Sequence, residues 1–554
     1  MIRKKSVVGI LLLFLLICQF NTNGQIAKDA EASEYNRNNP EMEEWLQDSG
    51  FGIFMHWSMD SQLGTVISHT IVGSSEEYQE RYYNELPKTF NPYKYNALEI
   101  ARLAKLSGAK YMVLTTKHHS GFCMWDTKTT DFDIMNTPYK KDIVREYVDA
   151  CREMGLKVGF YYSPEDWLFV KNKNALIKRR DRATIAKPFR KEYDVFMQDQ
   201  LRELLTNYGK IDIMFLDGGY WPPAKKICWE LQPDILITRG ALNSPEQTVA
   251  DVSQDDAWEA CITMNNQWAY KPTNKKIKHG TRLIEILIET RCKGGALVLN
   301  VGPKPNGELD IVEEENLREV AAWNFVNQEA LYNVRPWVVS KESNIWLSKA
   351  KKENTVYAYI TKTDWKRGDR KNFILKSVKA TANTKISVLG QNDLVCEYQS
   401  VIPTSKFNQT ANGLEISVVR AQRIYNANDW DNPIVVKLEN VEAAMTPVVP
   451  VTIDPIRISS DRIEMSGKLS EVDSSEDLKV GFLYREYGGF HESIYSDKWE
   501  ITKLKKYKTG EIFKANLKKL KADKDYQIRT VVEQNGVLIP GKIIKCRKLK
   551  KKAH

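Results

Sequence analysis

Apolar residues in the first 340 positions gather in short runs separated by longer, periodic segments. Six of these runs lack polar alternation: FGIFMHW (51–57), KYMVLTT (110–116), KVGFYYS (157–163), IDIMFLD (211–217), ILITRG (235–240) and GALVLNVG (295–302). A short apolar run without alternation is typical of a parallel strand that is covered on both faces. The six runs therefore predict the strands of one parallel sheet.

Helical spacing fills the intervals between these runs. In residues 97–110 and 142–157, apolar positions recur three to four apart, and a glycine follows the last turn as a stop signal. Strands that alternate with helices over about 300 residues predict a (β/α)-barrel. An open, doubly wound sheet is the alternative, but no G-x-G-x-x-G fingerprint follows the first run.

The pattern changes near residue 340. Short alternating segments such as NTVYAYITKT, KISVLG and GLEISVV predict a β-sandwich over 341–440. The proline-rich stretch MTPVVPVTIDP (445–455) predicts a linker. A small β-domain within 441–554 follows it and resembles fibronectin type III modules. The predicted fold is thus a (β/α)-barrel catalytic domain over 25–340, followed by a β-sandwich and a small C-terminal β-domain.

The N-terminus has the pattern of an export signal. Three basic residues, Arg3 to Lys5, precede the apolar run VVGILLLFLLIC, and polar residues follow it. Twelve apolar residues are too few to cross a bilayer, which needs about 20. We therefore predict a signal peptide over 1–24, a periplasmic or secreted protein, and no membrane span. Lipid attachment at Cys18 is the less favoured alternative, because Ile17 is a poor substitute for a small residue.

Charge and cysteine content argue against a nucleic-acid partner and against cysteine-based cross-links or metal sites. The net charge is +10, but 81 basic residues stand against 71 acidic ones, which indicates a mixed, solvated surface and no nucleic-acid partner. Seven cysteines lie beyond the predicted signal peptide, widely spread and without a C-x-x-C pair. This pattern predicts neither a disulfide framework nor a zinc site.

Polar side chains stand at or near the carboxyl ends of successive predicted strands. They are His56, His118, His119, Tyr161, Asp217 and Arg239, interleaved with Trp57, Trp125, Trp167 and Trp221. The carboxyl end is where such barrels bind substrate. Sugars need this mixture of hydrogen-bonding groups and aromatic faces, so we predict a carbohydrate site.

A metal centre is the alternative for the histidines. Three histidines and Asp217 offer ligands that suit zinc. However, the adjacent residues His118 and His119 point to opposite sides of a strand unless the chain turns there, and neither H-E-x-x-H nor H-x-H occurs. We therefore predict no metal.

Long motifs carry a family resemblance. The block AKYMVLTTKHHSGFCMWDTKTTDFDIMNTPYKKDIVREYVDACREMGLKVGFYYSPEDW resembles α-L-fucosidases of glycoside hydrolase family 29, and so do FGIFMHWS, IDIMFLDGG, WEACITMNNQWAY and GGALVLNVGPKPNGEL. The resemblance covers about residues 35–340. It implies a barrel followed by a β-sandwich, and hydrolysis of α-linked L-fucose with retention through a covalent intermediate.

The resemblance also implies roles for single residues. Asp217 of FLDGG matches the nucleophile, and Glu259 of WEACITM matches the acid/base of a broad-specificity branch. Matches to the fucose pocket are His56, His118, His119, Tyr161, Trp221 and, more weakly, Arg239. Trp57 and Trp125, which stand among these polar groups, are predicted to bind substrate as aromatic faces. The family motif SEWY is replaced by SSEEYQER, which leaves Glu76 or Glu77 as an uncertain further carboxylate.

The expected reaction uses a fucosylated glycan and water, with no cofactor. Two alternatives remain at this point. An L-galactosidase is one, because L-galactose differs from L-fucose by one hydroxyl and an apolar pocket rejects an added hydroxyl only by about 10²-fold. A non-catalytic carbohydrate-binding protein on the same scaffold is the other, and the presence of both predicted carboxylates, Asp217 and Glu259, argues against it.

Overall fold

The computed structural model describes residues 37–177, 189–219, 221–273, 276–362, 364–422, 432–470, 478–489, 498–508 and 510–548. The predicted signal peptide and Cys18 lie outside these residues. In the described part of the chain, no helix is both long and apolar enough to cross a membrane.

A seven-stranded parallel sheet forms the first part of the molecule, in the order β5-β4-β3-β2-β1-β7-β6. Its strands are β1 Phe51–Met55, β2 Tyr111–Lys117, β3 Lys157–Tyr162, β4 Ile213–Leu216, β5 Leu236–Ile237, β6 Glu259–Thr263 and β7 Ala296–Val301. The curled parallel sheet confirms the predicted barrel class. Strand β6 was not among the six predicted runs.

Residues 243–247 stand where an eighth strand would close the barrel. Parallel bridges join Asn243 to Trp258 and Glu246 to Cys261, so this segment runs beside β6. On the other side, the Leu216 N–H donates to the carbonyl of Arg239 just beyond β5. The chain therefore closes the gap between β5 and β6 with irregular backbone.

Helices cover the outside of the sheet. They are α1 Pro40–Ser49, α2 Glu76–Asn84, α3 Ala97–Leu106, α4 Ile143–Glu153, α5 Trp167–Asn172, α6 Arg190–Thr206, α7 Trp221–Leu231, α8 Gly280–Cys292 and α9 Ile311–Asn327. Asn96 and Asp142 begin α3 and α4 by accepting backbone N–H bonds, which satisfies donors that a helix start leaves unpaired.

Two hydrophobic cores follow from the alternation of side chains along the strands. Phe160 and Tyr162 of β3 pack outward in a large core shared with the helices, whereas Tyr161 points into the barrel. Leu46 of α1 belongs to the inner core and covers the amino end of the barrel. Each large side chain buried in this way contributes about 1.5–3 kcal/mol.

Antiparallel sheets form the rest of the molecule. A five-stranded sheet, in the order β12-β15-β10-β9-β8, packs with a three-stranded sheet, β11-β14-β13, around one apolar core. The strands are β8 Val334–Glu342, β9 Ile345–Ala350, β10 Thr355–Ile360, β11 Arg370–Leu375, β12 Val378–Val388, β13 Lys406–Thr410, β14 Gly413–Val419 and β15 Ile434–Ala443. This arrangement is the expected sandwich.

Two further sheets hold the C-terminal strands. They are β16 Val449–Ser459, β17 Arg462–Ser470, β18 Lys479–Glu486, β19 Glu500–Ile501, β20 Lys505–Lys506, β21 Phe513–Leu517, β22 Tyr526–Gln534, β23 Val537–Pro540 and β24 Ile544–Cys546. The predicted linker over 445–455 is wrong in its second half, because residues from Val449 onward pair with β17. The limits of the three predicted domains stay a prediction.

Candidate active site

Asp217 lies at the centre of the carboxyl end of the barrel. It directly follows β4, and Gly218 beside it has a φ of 117°, a backbone conformation that favours glycine. The Tyr161 hydroxyl donates to Asp217 Oδ2 at 2.9 Å, and Arg239 Nη1 donates to Oδ1 at 3.1 Å. His119 Nε2 is 3.8 Å from Oδ2. Three side chains from three strand ends thus hold this carboxylate.

The charge of Asp217 is set by these neighbours. Burial by itself raises the pKa of a carboxyl group. Here the Arg239 guanidinium, His119 and the Tyr161 hydroxyl together outweigh burial and hold the pKa of Asp217 well below its usual range. The group is therefore ionised at neutral pH, as a nucleophile requires.

The structure brings His118 and His119 together, although they are adjacent in sequence. Strand β2 ends at Lys117, and the chain then turns, with the Gly121 N–H bonded to the His118 carbonyl. The two rings lie 4.2 Å apart, centroid to centroid. Nδ1 of His118 is 2.8 Å from Ser68 Oγ, and Nδ1 of His119 is 2.6 Å from Ser163 Oγ. Serine hydroxyls therefore orient both imidazoles.

His56 is a neutral hydrogen-bond acceptor. Asn300 Nδ2 donates to the Trp268 carbonyl at 2.7 Å, so its Oδ1 faces His56 and accepts from Nδ1 at 2.5 Å. Burial lowers the pKa of His56 to about 3. With its proton on Nδ1, His56 has an unprotonated Nε2, which accepts a hydrogen bond.

Aromatic rings surround these polar groups. The Trp268 ring lies 4.7 Å from the His56 ring, and Trp167 lies 5.1 Å from His119. His69 contacts both His119 and Trp167, at 5.4 Å and 5.5 Å. The sequence analysis did not select Trp268 or His69. Trp268 stands in a quoted motif, whereas His69 begins a short 3-10 helix, His69–Ile71, and has no local sequence signal.

Two predicted pocket tryptophans face away from the site. Trp57 is fully buried among the outer core residues, with its ring 4.9 Å from that of Tyr95. Trp125 is also fully buried, and its Nε1 donates to Glu203 at 2.9 Å. Both predictions are wrong, because each side chain points towards the helices. Trp221 begins α7, four residues after Asp217, and stays at the carboxyl end of the barrel.

Glu259 is not at this end of the barrel. It is the first residue of β6, it is 0% exposed, and its Oε1 accepts from the Tyr111 hydroxyl at 2.6 Å. Tyr111 begins β2, four residues before Thr115, which pairs with Tyr161. Four residues of strand span about 13 Å at about 3.3 Å each. The prediction of Glu259 as acid/base is therefore wrong, because the side chain is buried at the amino end.

Glu246 is the carboxylate that the structure brings to Asp217. It lies in the closing segment, and its Oε2 accepts from Arg239 Nη1 at 2.9 Å. The same nitrogen donates to Asp217 at 3.1 Å, so the two carboxylate oxygens are within about 6 Å of each other. Glu246 was missed, because irregular backbone carries no periodic signal.

Other carboxylates near the site differ in exposure. Glu165 follows β3, and its Oε1 accepts from the Gly219 N–H at 3.0 Å, next to the Asp217 loop. Glu76 and Glu77 lie in the first turn of α2, and both are exposed. Glu77 pairs with Arg81 at 2.9 Å, with 79% of its side chain exposed. Glu165 thus lies next to the residues that follow Asp217, whereas Glu76 and Glu77 are exposed on α2.

His118, His119 and Asp217 could in principle share a cation. One ligand atom from each lies within 4.8 Å of the others. The Arg239 guanidinium already contacts Asp217, however, and a second positive charge there would be repelled. This donor set fits the binding of sugar hydroxyls better than the binding of a metal.

A (β/α)-barrel whose carboxyl end presents two close carboxylates among histidines and aromatic rings has the architecture of a glycoside hydrolase. Comparison with known proteins identifies the family. The family model described as α-L-fucosidase matches residues 17–329. The chain therefore belongs to the α-L-fucosidases of glycoside hydrolase family 29, and it is an enzyme of that class.

Relatives extend the match along the chain. It is 27% identical to mouse tissue α-L-fucosidase over 62% of this chain and 83% of that protein. It is 26% identical to human plasma α-L-fucosidase over 57% of this chain and 76% of that protein. The solved structure of α-L-fucosidase isoenzyme 1 from Paenibacillus thiaminolyticus is 28% identical, with a TM-score of 0.58 over 73% of this chain and 99% of that one.

Proposed function

We propose that this enzyme hydrolyses α-L-fucosyl linkages in glycans with retention of configuration, with Asp217 as nucleophile and Glu246 as acid/base. One observation carries the proposal: a single nitrogen of Arg239 contacts both carboxylates. Retaining enzymes place their two carboxyl groups roughly 5–5.5 Å apart, whereas inverting enzymes need about 6.5–9.5 Å to admit water. The arrangement here favours retention.

Asp217 attacks the anomeric carbon and forms a covalent ester as the bond to the leaving oxygen breaks. Glu246 gives its proton to that oxygen, and then takes a proton from the water that cleaves the ester. In the free enzyme Glu246 is paired with Arg239, so it acts as an acid only after the bound glycan loosens this contact. Arg239 stays against Asp217 and orients it.

Recognition of the sugar falls to the histidines and the rings beside them. His56 accepts from a hydroxyl through Nε2, while His118 and His119 bond further hydroxyls. Trp268 supplies an apolar face. An apolar wall suits the methyl group of fucose, because it leaves an additional hydroxyl without a partner.

Azide distinguishes the two carboxylates. In Asp217→Gly, hydrolysis of every fucoside falls by at least about 10⁴-fold, and azide replaces the nucleophile to give the inverted β-fucosyl azide. In Glu246→Ala, aryl fucosides with acidic leaving groups react better than natural glycans, because they need little protonation. Azide then attacks the covalent intermediate and gives the α-fucosyl azide. Product configuration is read by NMR.

Two further carboxylates serve as matched controls. Glu259→Ala and Glu165→Ala are assayed with the same aryl fucoside and the same natural glycan. Formation of α-fucosyl azide by the Glu165 or Glu259 variant, with no such product from Glu246→Ala, would move the acid/base role to that residue. Labelling of a residue other than Asp217 by a fluorinated fucosyl inhibitor would refute the nucleophile.

We also propose that the enzyme is exported and accepts several linkages. The basic and apolar residues at positions 3–18 support export. The mass of the mature N-terminus, measured after expression in a bacterial host, tests this, and an uncleaved chain contradicts it. A panel of blood-group, Lewis-type and core-fucosylated oligosaccharides tests linkage range. Cleavage of branched Lewis structures alone would contradict broad specificity.

A further inference from the structure

Asp60 is a buried carboxyl group that the proposed reaction does not use. It lies between β1 and α2 and is 1% exposed. Its Oδ2 accepts from the Ser68 N–H at 2.6 Å, and its Oδ1 accepts from the Tyr82 hydroxyl. Burial raises the pKa of Asp60 to about 6, whereas both donors lower it because they stabilise the ionised form. The carboxyl group thus has two specific partners, and one of them, Ser68, contacts the candidate active site.

Ser68 has a strained backbone. Its φ of 60° lies in the left-handed region that favours glycine, and its ψ is −33°. The His69 N–H donates to the Ile67 carbonyl at 2.7 Å, so residues 67–69 form a γ-turn of the rare kind with positive φ. Such a backbone persists only where its surroundings hold it. The bond from the Ser68 N–H to Asp60 is a contact that does so.

The side chain of Ser68 contacts His118. Its Oγ lies 2.8 Å from His118 Nδ1 and accepts from the Ser120 N–H at 3.0 Å. Ser68 is 0% exposed, so protein groups enclose this hydroxyl. The contact at Nδ1 helps to set the orientation of the imidazole and which of its two nitrogens carries the proton. The position of Ser68 therefore affects how His118 bonds a ligand.

The same turn places His69 against the neighbouring histidine. The centroid of the His69 ring lies 5.4 Å from that of His119 and 5.5 Å from that of Trp167. His119 Nε2 is in turn 3.8 Å from Asp217 Oδ2. Two consecutive residues of one turn, Ser68 and His69, thus contact the two consecutive histidines that follow β2. A change in the conformation of the turn would alter both contacts at once.

We propose that Asp60 is a positioning residue for sugar recognition, which holds the turn at Ser68 and through this turn orients His118. The proposal rests on the proposed function, in which His118 bonds a hydroxyl of the sugar. Asp60 is too deeply buried to touch the sugar itself, so it acts only through its neighbours. Removal of its carboxylate leaves the Ser68 N–H without its acceptor and the strained turn without this support.

A double-mutant cycle tests whether Asp60 acts through Ser68. In Asp60→Ala, kcat/KM on an aryl fucoside should fall by about 5–10-fold, and inhibition by L-fucose should weaken by a similar factor, because a hydrogen bond to the sugar is lost. Ser68→Ala should show a similar loss. The double variant should lose no more than the larger single variant, to within about twofold, because both substitutions disturb the same contact. Losses that multiply in the double variant would overturn the proposal.

The state of His118 can be read in the free enzyme by NMR of nitrogen-labelled protein. The chain has seven histidines, and His118→Gln identifies the ring-nitrogen signals of His118 among them. These signals should shift in both Asp60→Ala and Ser68→Ala. The measurement needs no substrate, whereas the proposed function fails if Asp217→Gly keeps its activity, so the two failures are distinguishable. Unchanged His118 signals in Asp60→Ala would overturn the positioning role.

Matched variants separate positioning from a general loss of stability. Asp133→Ala removes another buried aspartate that accepts a backbone N–H, from Asn136 at 3.0 Å, within its own segment. It should lower Tm but leave kcat/KM and the His118 signals as in wild type. Asp60→Asn keeps a carbonyl that can accept from the Ser68 N–H, so its losses should lie between those of wild type and Asp60→Ala. It carries the same measurements if the alanine variant does not fold. Equal losses of kcat/KM in Asp60→Ala and Asp133→Ala would contradict a specific role for Asp60.

Discussion

Each end of the barrel holds a tyrosine that is bonded to a carboxyl group, but the pKa values of the two carboxyl groups shift in opposite directions. At the carboxyl end, Tyr161 donates to Asp217 at 2.9 Å; at the amino end, Tyr111 donates to Glu259 at 2.6 Å. The pKa of Asp217 lies well below its usual range, whereas burial raises the pKa of Glu259 to about 7. Glu259 is fully buried and Asp217 partly buried, and both accept from a tyrosine hydroxyl.

The difference comes from a cation. Arg239 bonds directly to Asp217, whereas no positively charged side chain in the described residues bonds to Glu259. An opposite charge within hydrogen-bonding distance overcomes the desolvation of a carboxylate, and a neutral hydroxyl does not. The barrel therefore keeps one carboxyl ionised for chemistry and the other close to neutral inside its base.

Of the substitutions that test this difference between the two carboxyl groups, removal of Arg239 should have the largest effect on activity. In Arg239→Met, the pKa of Asp217 rises, since burial then acts without its counter-charge. We expect kcat/KM on an aryl fucoside to fall by about 10²–10³-fold at neutral pH. The acid limb of the pH profile should move to higher pH, because the nucleophile must be deprotonated.

Arg239→Lys is the matched control for that measurement. It keeps the charge but loses the planar fork, so its acid limb should move less than that of Arg239→Met. An unchanged acid limb in the methionine variant would show that Arg239 does not set the ionisation of Asp217.

Removal of the tyrosine hydroxyl at either end of the barrel, one at a time, tests the same difference, and the larger of the two effects on activity should be intermediate. Tyr161→Phe removes a hydrogen bond to a charged group, worth about 1.5–3 kcal/mol, so we expect kcat/KM to fall by about 10–100-fold. Tyr111→Phe should leave kcat/KM within about threefold of wild type, because its partner does not touch substrate. Equal losses of kcat/KM in the two variants, measured with one aryl fucoside, would contradict the conclusion that only the carboxyl end of the barrel takes part in catalysis.

Replacement of Glu259 should have the smallest effect on activity and a visible effect on stability. Its folded pKa of about 7 lies above the usual 4.5, so the unfolded chain loses this proton first as pH rises. Between about pH 4.5 and 7, Glu259 is ionised in the unfolded chain but still protonated in the folded protein, so the free energy of unfolding falls progressively, by on the order of 3 kcal/mol in total. Below about pH 4.5, Glu259 is protonated in both states and does not affect the free energy of unfolding.

Glu259→Gln removes the pH-dependent loss of stability that Glu259 causes. We expect the drop in Tm between pH 5 and pH 8 to be several degrees smaller in the variant than in wild type, with kcat/KM changed less than about fivefold. Differential scanning calorimetry at both pH values measures it. An identical pH dependence of Tm in the two proteins would show that Glu259 is not protonated in the fold.

Much of the barrel was predictable because its strands are buried on both faces. The runs that became β1, β2, β3, β4 and β7 are mostly apolar and lack polar alternation, which is typical of a parallel strand covered on both faces. Asp217 and the pair His118 and His119 could be selected because each directly follows such a run. The residue after a parallel strand lies at the carboxyl end whatever the rest of the chain does.

The sequence by itself therefore determined the class of fold, the family and the ionisable groups at well-defined strand ends. The tertiary structure decided which second carboxylate joins Asp217. Glu259 begins β6 and Glu246 lies in irregular backbone beside β6, and the contact of Glu246 with Arg239 shows that Glu246 is the one beside Asp217. A parallel strand separates its first and last residues by its whole length, and a motif does not reveal where in the strand it starts.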